Sequence, residues 1–460
     1  MTFVELLPVF MFLALALLLF TGFPVAFILG GVGLGFAFLA QELGAFNVAR
    51  LVIIPNRIFG GTMENPVLVA IPMFIFMGTM LEKSGVAKDL LHCLQVLTRR
   101  IPGGLALSVT LMGTIMAATT GIIGASVVMI TLLALPVMLE RNYNIPLATG
   151  TIASSGTLGI LIPPSIMLVI MSDLMSIPVG TVFVAAIVPG LLLAALYALY
   201  IIVLCRLKPH LAPPLPDDIG PTNRAEFWTM IFKSFIPPVF LIVIVLGSIF
   251  AGLATPTEAA GVGAAGATLL ALLNRKLSVS VMKEVCHRSA LTGAMLFGIF
   301  LGATCFSLMF RWLGGEVLID EFIAWAGVGP WGILFVLMGM IFFLGFFFDW
   351  VEITLIVLPV FGPIVAALDF GTHLGGYEGV GEAALIWFTI LVSTNLQTSF
   401  LTPPFGFALF YMKGVAPPGV TIQHIYKGII PFVLLQLIGL GLCILFPDLV
   451  LWLPNLLLGK

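Results

Sequence analysis

Gly156-Thr157-Leu158-Gly159-Ile160-Leu161-Ile162-Pro163-Pro164-Ser165 lies inside an apolar run long enough to cross a bilayer, and it breaks that run with small polar residues and a Pro-Pro pair. Gln397-Thr398-Ser399-Phe400-Leu401-Thr402-Pro403-Pro404-Phe405-Gly406 repeats the device in the second half of the chain. Proline lacks the backbone donor and clashes with the preceding turn, so each helix must unwind there. Unwound backbone at membrane depth persists only where it is buried in protein or lines a cavity. A matched pair of broken helices in two halves of one chain points to an ion and substrate site of transporter type.

Composition sets the environment. The chain is 60% hydrophobic and 9% charged over 460 residues, whereas soluble domains carry about 25% charged residues. It reads as an all-α polytopic membrane protein with roughly ten or more spans plus re-entrant pieces. The first apolar run, 3–20, has no basic leader and no small-residue cleavage site, so it reads as a retained helix. Five cysteines without CxxC spacing read as buried thiols. A net charge of −2 leaves no nucleic-acid footprint.

Working outward, apolar runs mark spans near 3–20, 23–40, 66–82, 145–172, 180–205, 236–253, 256–274, 289–310, 383–412 and 428–446. Residues 103–140 and 331–368 are too long for one span and too short for two. Each carries small polar or acidic residues at its middle, which predicts two re-entrant helical hairpins. With the N-terminus outside, all of the 19 Lys and Arg residues except Arg50, Arg57, Arg311 and Lys460 fall on the inner side. That is the asymmetry of the positive-inside rule. The division that follows has scaffold helices in 1–65, a first repeat in 66–206, a linker with scaffold helices in 207–288, a second repeat in 289–446 and a tail in 447–460. Each repeat holds one hairpin (103–140, 331–368) and one broken helix (145–172, 383–412). Their orientations are opposite, an inverted repeat. A segment around 227–235 reads as a surface loop or an interfacial helix, and Asp369–Glu382 as an outside loop, bare to solvent or in contact with a partner.

Hydroxyls and amides beside freed carbonyls make a cage for a hard cation such as Na⁺. Ser154, Ser155 and Thr157 approach the first break; Asn395, Gln397, Thr398, Ser399 and Thr402 approach the second. The competing reading is that they repair the backbone of an inert kink. Thr120, Gly121, Gly124 and Ser126 at the first hairpin tip permit a sharp turn and close approach to a ligand, or simply tight packing. Asp349 and Glu352 at the second tip are costly at membrane depth, which makes them candidates for the coupling ion. Pairing with Arg311 or with a backbone amide is the alternative. No zinc-protease motif, phosphate-binding loop or nucleophile triad stands out, so an ion gradient and not nucleotide hydrolysis would drive transport.

Gly156–Ser165 followed by Ile187-Val188-Pro189-Gly190, and Leu401–Gly406 followed by Gly428-Ile429-Ile430-Pro431-Phe432, resemble the large membrane subunit of the tripartite ATP-independent periplasmic (TRAP) transporters. Gly345–Pro363 looks like that family's second hairpin, and the resemblance spans nearly the whole chain. It implies an elevator-type ion transporter architecture in the bacterial inner membrane, multi-pass among membrane lipids. It also implies a small four-helix membrane subunit and a soluble periplasmic substrate-binding protein as partners, with sodium-driven uptake of a small organic anion. By the same resemblance Thr120, Ser126, Ser155 and Thr157 would hold one sodium ion, and Asp349, Asn395, Thr398 and Thr402 another. Substrate would lie near Pro163, Pro164, Pro403 and Pro404, with Gly121, Gly124 and Glu352 from the hairpin tips. The first tip reads Thr-Thr-Gly-Ile-Ile-Gly-Ala-Ser where the family often has Ser and Asp, and no arginine lies near either break. A substrate carboxylate would then meet helix N-termini or backbone amides, which favours a small monoanion. A stand-alone sodium or proton symporter, and a membrane-embedded enzyme, are the other readings.

Overall fold

The computed structural model describes residues 3–120, 123–215, 220–221, 223–377, 380–403 and 406–459, among which there is no strand. The chain opens with α1 (Leu7–Leu19), α2 (Val25–Glu42) and the short α3 (Ile53–Ile58). It continues through α4 (Ala70–Lys83) and α5 (Val86–Thr98) to a hairpin of α6 (Gly104–Thr120) and α7 (Ile123–Glu140). Next come α8 (Ile145–Thr157), α9 (Ile166–Leu174) and α10 (Val179–Leu207). The middle holds α11 (Arg224–Met230), α12 (Ile236–Phe250), α13 (Pro256–Leu273), α14 (Val279–Trp312) and α15 (Gly315–Ala326). A second hairpin, α16 (Pro330–Leu344) and α17 (Trp350–Ala367), leads to α18 (Val380–Leu401), α19 (Phe407–Val415), α20 (Ile422–Leu445) and α21 (Asp448–Leu458). Nine helices among the described residues are long and apolar enough to cross a membrane.

Glycine permits the closest crossings, as expected where helices associate in lipid by packing rather than by hydrophobic exclusion. α14, with 34 residues, runs about 51 Å against α2, α4 and α17. A Cβ on Gly33 of α2 would stand 3.0 Å from Cys305 Sγ of α14. α8 and α20 meet glycine to glycine: a side chain on Gly150 would strike the Gly428 carbonyl, and one on Gly428 the Pro146 carbonyl. α18 is buried along nearly its whole length, enclosed by α8, α9, α10, α16, α17, α20 and α21.

Three segments differ from the reading of the sequence. Residues 447–460, expected as a tail, contain α21, which buries Val450, Leu451 and Pro454 against α10 and α18. The 227–235 segment is helical and not a surface loop. It continues through one wider turn (Ile231–Phe235) into α12, so 224–250 is one continuous helix, long and apolar enough to cross a membrane. The described part of the Asp369–Glu382 loop docks on the protein: His373 Nε2 lies 2.8 Å from the Ile444 carbonyl, and the Tyr377 hydroxyl donates to the Asp448 carboxylate. Four of the cysteines are buried as expected, and Cys286 is exposed.

Candidate functional site

Both interruptions are present. α8 ends at Thr157, one tight turn carries Leu158–Ile160, Leu161–Ser165 is non-helical, and α9 starts at Ile166. α18 ends at Leu401 and α19 starts at Phe407. Pro163 and Pro164 are buried in the first break and Pro403 is half-buried in the second. Gly121 and Pro404 lie outside the described residues, as does the side chain of Thr120.

Each broken helix lies in the notch of the hairpin that precedes it. α8 packs on both α6 and α7, and α18 on both α16 and α17. A Cβ on Gly113 of α6 would come within 2.6 Å of Ser155 Cβ, and one on Gly156 within 2.5 Å of Val127 Cγ2 on α7. Ser155, Thr157 and Ser126, the neighbour of Val127, are thereby drawn to one region. In the second notch Asn395 Nδ2 donates to the Met338 carbonyl (2.7 Å) and Ser399 Oγ to that of Phe342 (3.4 Å). Asn395, Ser399 and Thr402 share that face of α18 by helical spacing.

Hydroxyl chemistry at the first break is uniform. Ser155 Oγ donates to the Thr151 carbonyl (2.6 Å), Ser154 Oγ to the same atom (3.1 Å) and Thr157 Oγ1 to the Ser154 carbonyl (2.9 Å). This is the backbone repair expected of kinked membrane helices. It spends the donor of each hydroxyl and leaves its lone pairs for another partner. At the second break Thr402 Oγ1 donates to the Thr398 carbonyl (2.6 Å). Thr398 Oγ1, both amide atoms of Gln397, Thr151 Oγ1 and Thr354 Oγ1 are buried with no hydrogen-bond partner among the described residues. Gln397 and Thr398 are fully buried.

Asp349 and Glu352 have a local occupation. Asp349 caps α17, accepting from Trp350 N–H (2.8 Å), while Glu352 accepts from Asp349 N–H (2.6 Å), a reciprocal capping box. Arg311 does not pair with either. It bonds Glu316 (3.0 Å) and the Pro359 carbonyl (3.2 Å). Of the two alternatives to ion binding, the structure shows the backbone amide.

Gly124, at the start of α7, borders a cavity of about 950 Å³ lined by Glu82 and Lys83 of α4, Lys88 of α5, Lys276 just before α14 and Arg288 of α14; Lys83 pairs with Glu284 (2.7 Å) and Arg288 with Glu82 (3.4 Å). By the charge asymmetry these are inner-side residues. The Tyr411 ring of α19 closes on Gly124, with its nearest atom 3.1 Å from where a Cβ would be. Sequence reasoning undervalued Gln397 and missed Thr151, Thr354 and Thr110, whose hydroxyl meets Ser155 Oγ at 3.4 Å. Their signal is the same: isolated polar residues in helices with no charged face.

The motifs around the breaks acquire reasons. Gly190, which closes the Ile187–Gly190 motif, lets α10 approach the first break, where a Cβ would be 2.8 Å from Ile162 Cγ1. Gly428 gives α20 its contact with α8.

Comparison with known proteins agrees with this architecture. The family model described as "Tripartite ATP-independent periplasmic transporter, DctM component" matches residues 12–449. A C4-dicarboxylate TRAP transporter large permease protein from Rhodobacter capsulatus is 30% identical over 455 residues, covering 96% of this chain and 97% of that one. The protein of the same description from Pseudomonas aeruginosa is 31% identical, covering 86% and 87%. A sialic acid TRAP transporter large permease from Vibrio cholerae is 26% identical, covering 96% and 97%. Among solved structures, the Alcanivorax borkumensis YdaH transporter superposes with a TM-score of 0.59 at 16% identity, covering 88% of this chain and 89% of its own, and so shares the fold. With a family model spanning almost its full length and relatives this similar end to end, the chain belongs to the DctM component, the large permease, of the tripartite ATP-independent periplasmic transporters, a multi-pass secondary transporter subunit of the inner membrane.

Proposed function

We propose that this chain is the membrane transport subunit of a sodium-driven importer of small organic anions, chiefly carboxylates, which takes its substrate from a soluble periplasmic binding protein and works beside a small four-helix membrane subunit. The observation that carries the reading is the pair of interrupted helices, each cradled by its own hairpin and each surrounded by buried polar atoms. Oxygen lone pairs at the breaks suit a hard cation, and free helix N-termini suit an anion. The relatives from Rhodobacter, Pseudomonas and Vibrio are described as carriers of C4-dicarboxylates or sialic acid, all organic acids. No arginine stands near the breaks of this chain, which favours a monoanion held by amides.

The hairpins act as re-entrant gates that move with the broken helices in an elevator motion. α6 and α16, of 17 and 15 residues, reach only about 26 and 22 Å. Both fall short of the ~30 Å hydrocarbon core. The cavity beside Gly124 is the inner-side exit, where Lys88 and Lys276, without a carboxylate partner among the described residues, draw the anion toward the cytoplasm. The substrate leaves chemically unchanged. Uptake of labelled carboxylates into proteoliposomes, with the whole complex and an imposed sodium gradient, tests the proposal with and without the soluble component. Uptake indifferent to sodium would overturn the coupling. Full uptake without the soluble protein would favour the stand-alone symporter.

A further inference from the structure

We infer that Gln397 and the first turn of α9 together form the subsite for the substrate's carboxylate; this deepens the reading of the breaks as a transport site and rests on it. Ser165, in the N-cap position of α9, does not cap it. Its hydroxyl donates back to the Ile160 carbonyl (2.5 Å), and Val169 N–H is the first of the helix to close, on the Ser165 carbonyl (3.1 Å). The N–H groups of Ile166, Met167 and Leu168 have no acceptor among the described residues, and all three residues are buried. Buried amides without acceptors are rare and costly, and a helix N-terminus carries about half a positive charge.

Gln397 supplies the second, independent observation. Its side chain is fully buried in α18 with neither amide atom partnered. Ser393 Oγ, one turn earlier, meets Met171 Sδ of α9 at 3.0 Å. Met175, just past α9, lies against Gly362 in the later part of α17, so α9 runs alongside α17, and α18, which follows α17 in the chain and packs back on it, passes α9 in the opposite direction. One turn forward from Ser393 to Gln397 is one turn back from Met171 to Met167. The carboxamide therefore lies level with the uncapped amides, and α18 also packs on the turn at Leu158–Ile160.

A carboxylate has four lone-pair positions. Three backbone N–H groups and one N–H of the Gln397 amide fill them without any cation, and no Lys or Arg lies in 145–172 or 383–412. The positive end of α9 disfavours a sodium ion at this point, which assigns the anion here and leaves the hydroxyl cluster of Ser154, Ser155 and Thr157 for the cation.

The test uses the complete complex in proteoliposomes with succinate, pyruvate, lactate and N-acetylneuraminate as probes. Gln397→Met keeps the side-chain length and removes both polar atoms. Its expected effect is a rise of about tenfold in KM for the carried anion, the loss of one hydrogen bond to a charged group. The sodium concentration for half-maximal uptake stays unchanged. Because the replaced amide has no protein partner, the melting midpoint without substrate stays level or rises, which a structural glutamine would not allow. Gln397→Glu, by facing the substrate with like charge, raises KM further. An unchanged KM in Gln397→Met overturns the inference, as does a shift confined to sodium, which would make Gln397 a cation ligand. Absence of sodium-driven uptake of every probe by the unaltered complex removes the transport reading itself, and the inference with it.

Discussion

In α17 two prolines stand four residues apart, so the carbonyl of Pro359 faces Pro363, which has no N–H to give it. Arg311, at the end of α14, fills the gap with Nη2 at 3.2 Å. Arg311→Met should strand that carbonyl. Pro359 is half-buried and the arginine side chain is 43% exposed, so the bond counts as an ordinary one and not as a buried charged one, about 1 kcal/mol. The exposed Arg311–Glu316 pair at 3.0 Å adds a few tenths at most. With an unfolding entropy of about 2.1 cal/mol/K per residue, a chain of this length loses about 1 °C of melting midpoint per kcal/mol. The decisive background is Pro363→Ala, which restores an N–H four residues beyond Pro359. There Arg311→Met should cost only the surface pair, so the cycle shows a coupling of about 1 kcal/mol. Thermal melts of the four proteins in detergent measure it. Equal losses in both backgrounds would refute the reasoning that proline created the need for the arginine.

Asp349→Asn retains a good N-cap, so it should melt like the parent while raising the sodium concentration for half-maximal uptake about tenfold; Asp349→Ala should lose stability as well. A sodium response unchanged in Asp349→Asn would leave the carboxylate its capping role alone. Thr157→Val removes an oxygen of the first cluster at nearly constant volume and should weaken sodium activation, while loss of its bond to the Ser154 carbonyl costs about 1 kcal/mol, about 1 °C of melting midpoint. Gly150→Leu drives a side chain into the Gly428 carbonyl, an overpacking of backbone against backbone. Loss of monodisperse protein on size-exclusion chromatography is the expected outcome.

Much of this was legible from residue types, because the bilayer forbids most alternatives. A Pro-Pro pair with small polar neighbours in an apolar run has to be an interruption, and both appear where Pro163 and Pro403 stand. The helix pairs α6–α7 and α16–α17 fall where run length and the small polar or acidic residues at mid-run placed them. Helix α21 was not legible, since 447–460 is too short and too proline-rich to announce itself, and only its contacts with α10 and α18 hold it. The capping box of Asp349 and Glu352 has the ordinary i, i+3 spacing, but acidic residues within an apolar run read equally well as ion ligands. Gln397 stood among several polar neighbours in sequence; only burial and the lack of a partner separate it from Asn395, whose amide is spent on Met338.

The order of polar groups along the first break bears on coupling. Ser154, Ser155 and Thr157 have given their protons to carbonyls one turn back and present lone pairs; Ile166, Met167 and Leu168 present N–H groups a few residues later. In the proposed site the first set would take the cation and the second the anion, within one short stretch of chain. A cation there lowers the cost of placing an anion beside it in a medium of low dielectric, and the anion does the same for the cation. Each ligand alone faces an uncompensated field, so each should bind poorly alone. By linkage the factor by which sodium tightens the anion must equal the factor by which the anion tightens sodium. For adjacent sites in a buried break that factor should reach at least tenfold, about 1.4 kcal/mol. Equilibrium binding of the carried carboxylate to purified transporter, across a sodium series at constant ionic strength, measures it directly. Anion affinity that does not move with sodium would mean that the two ligands do not share the break, however well each set of atoms suits its own ion.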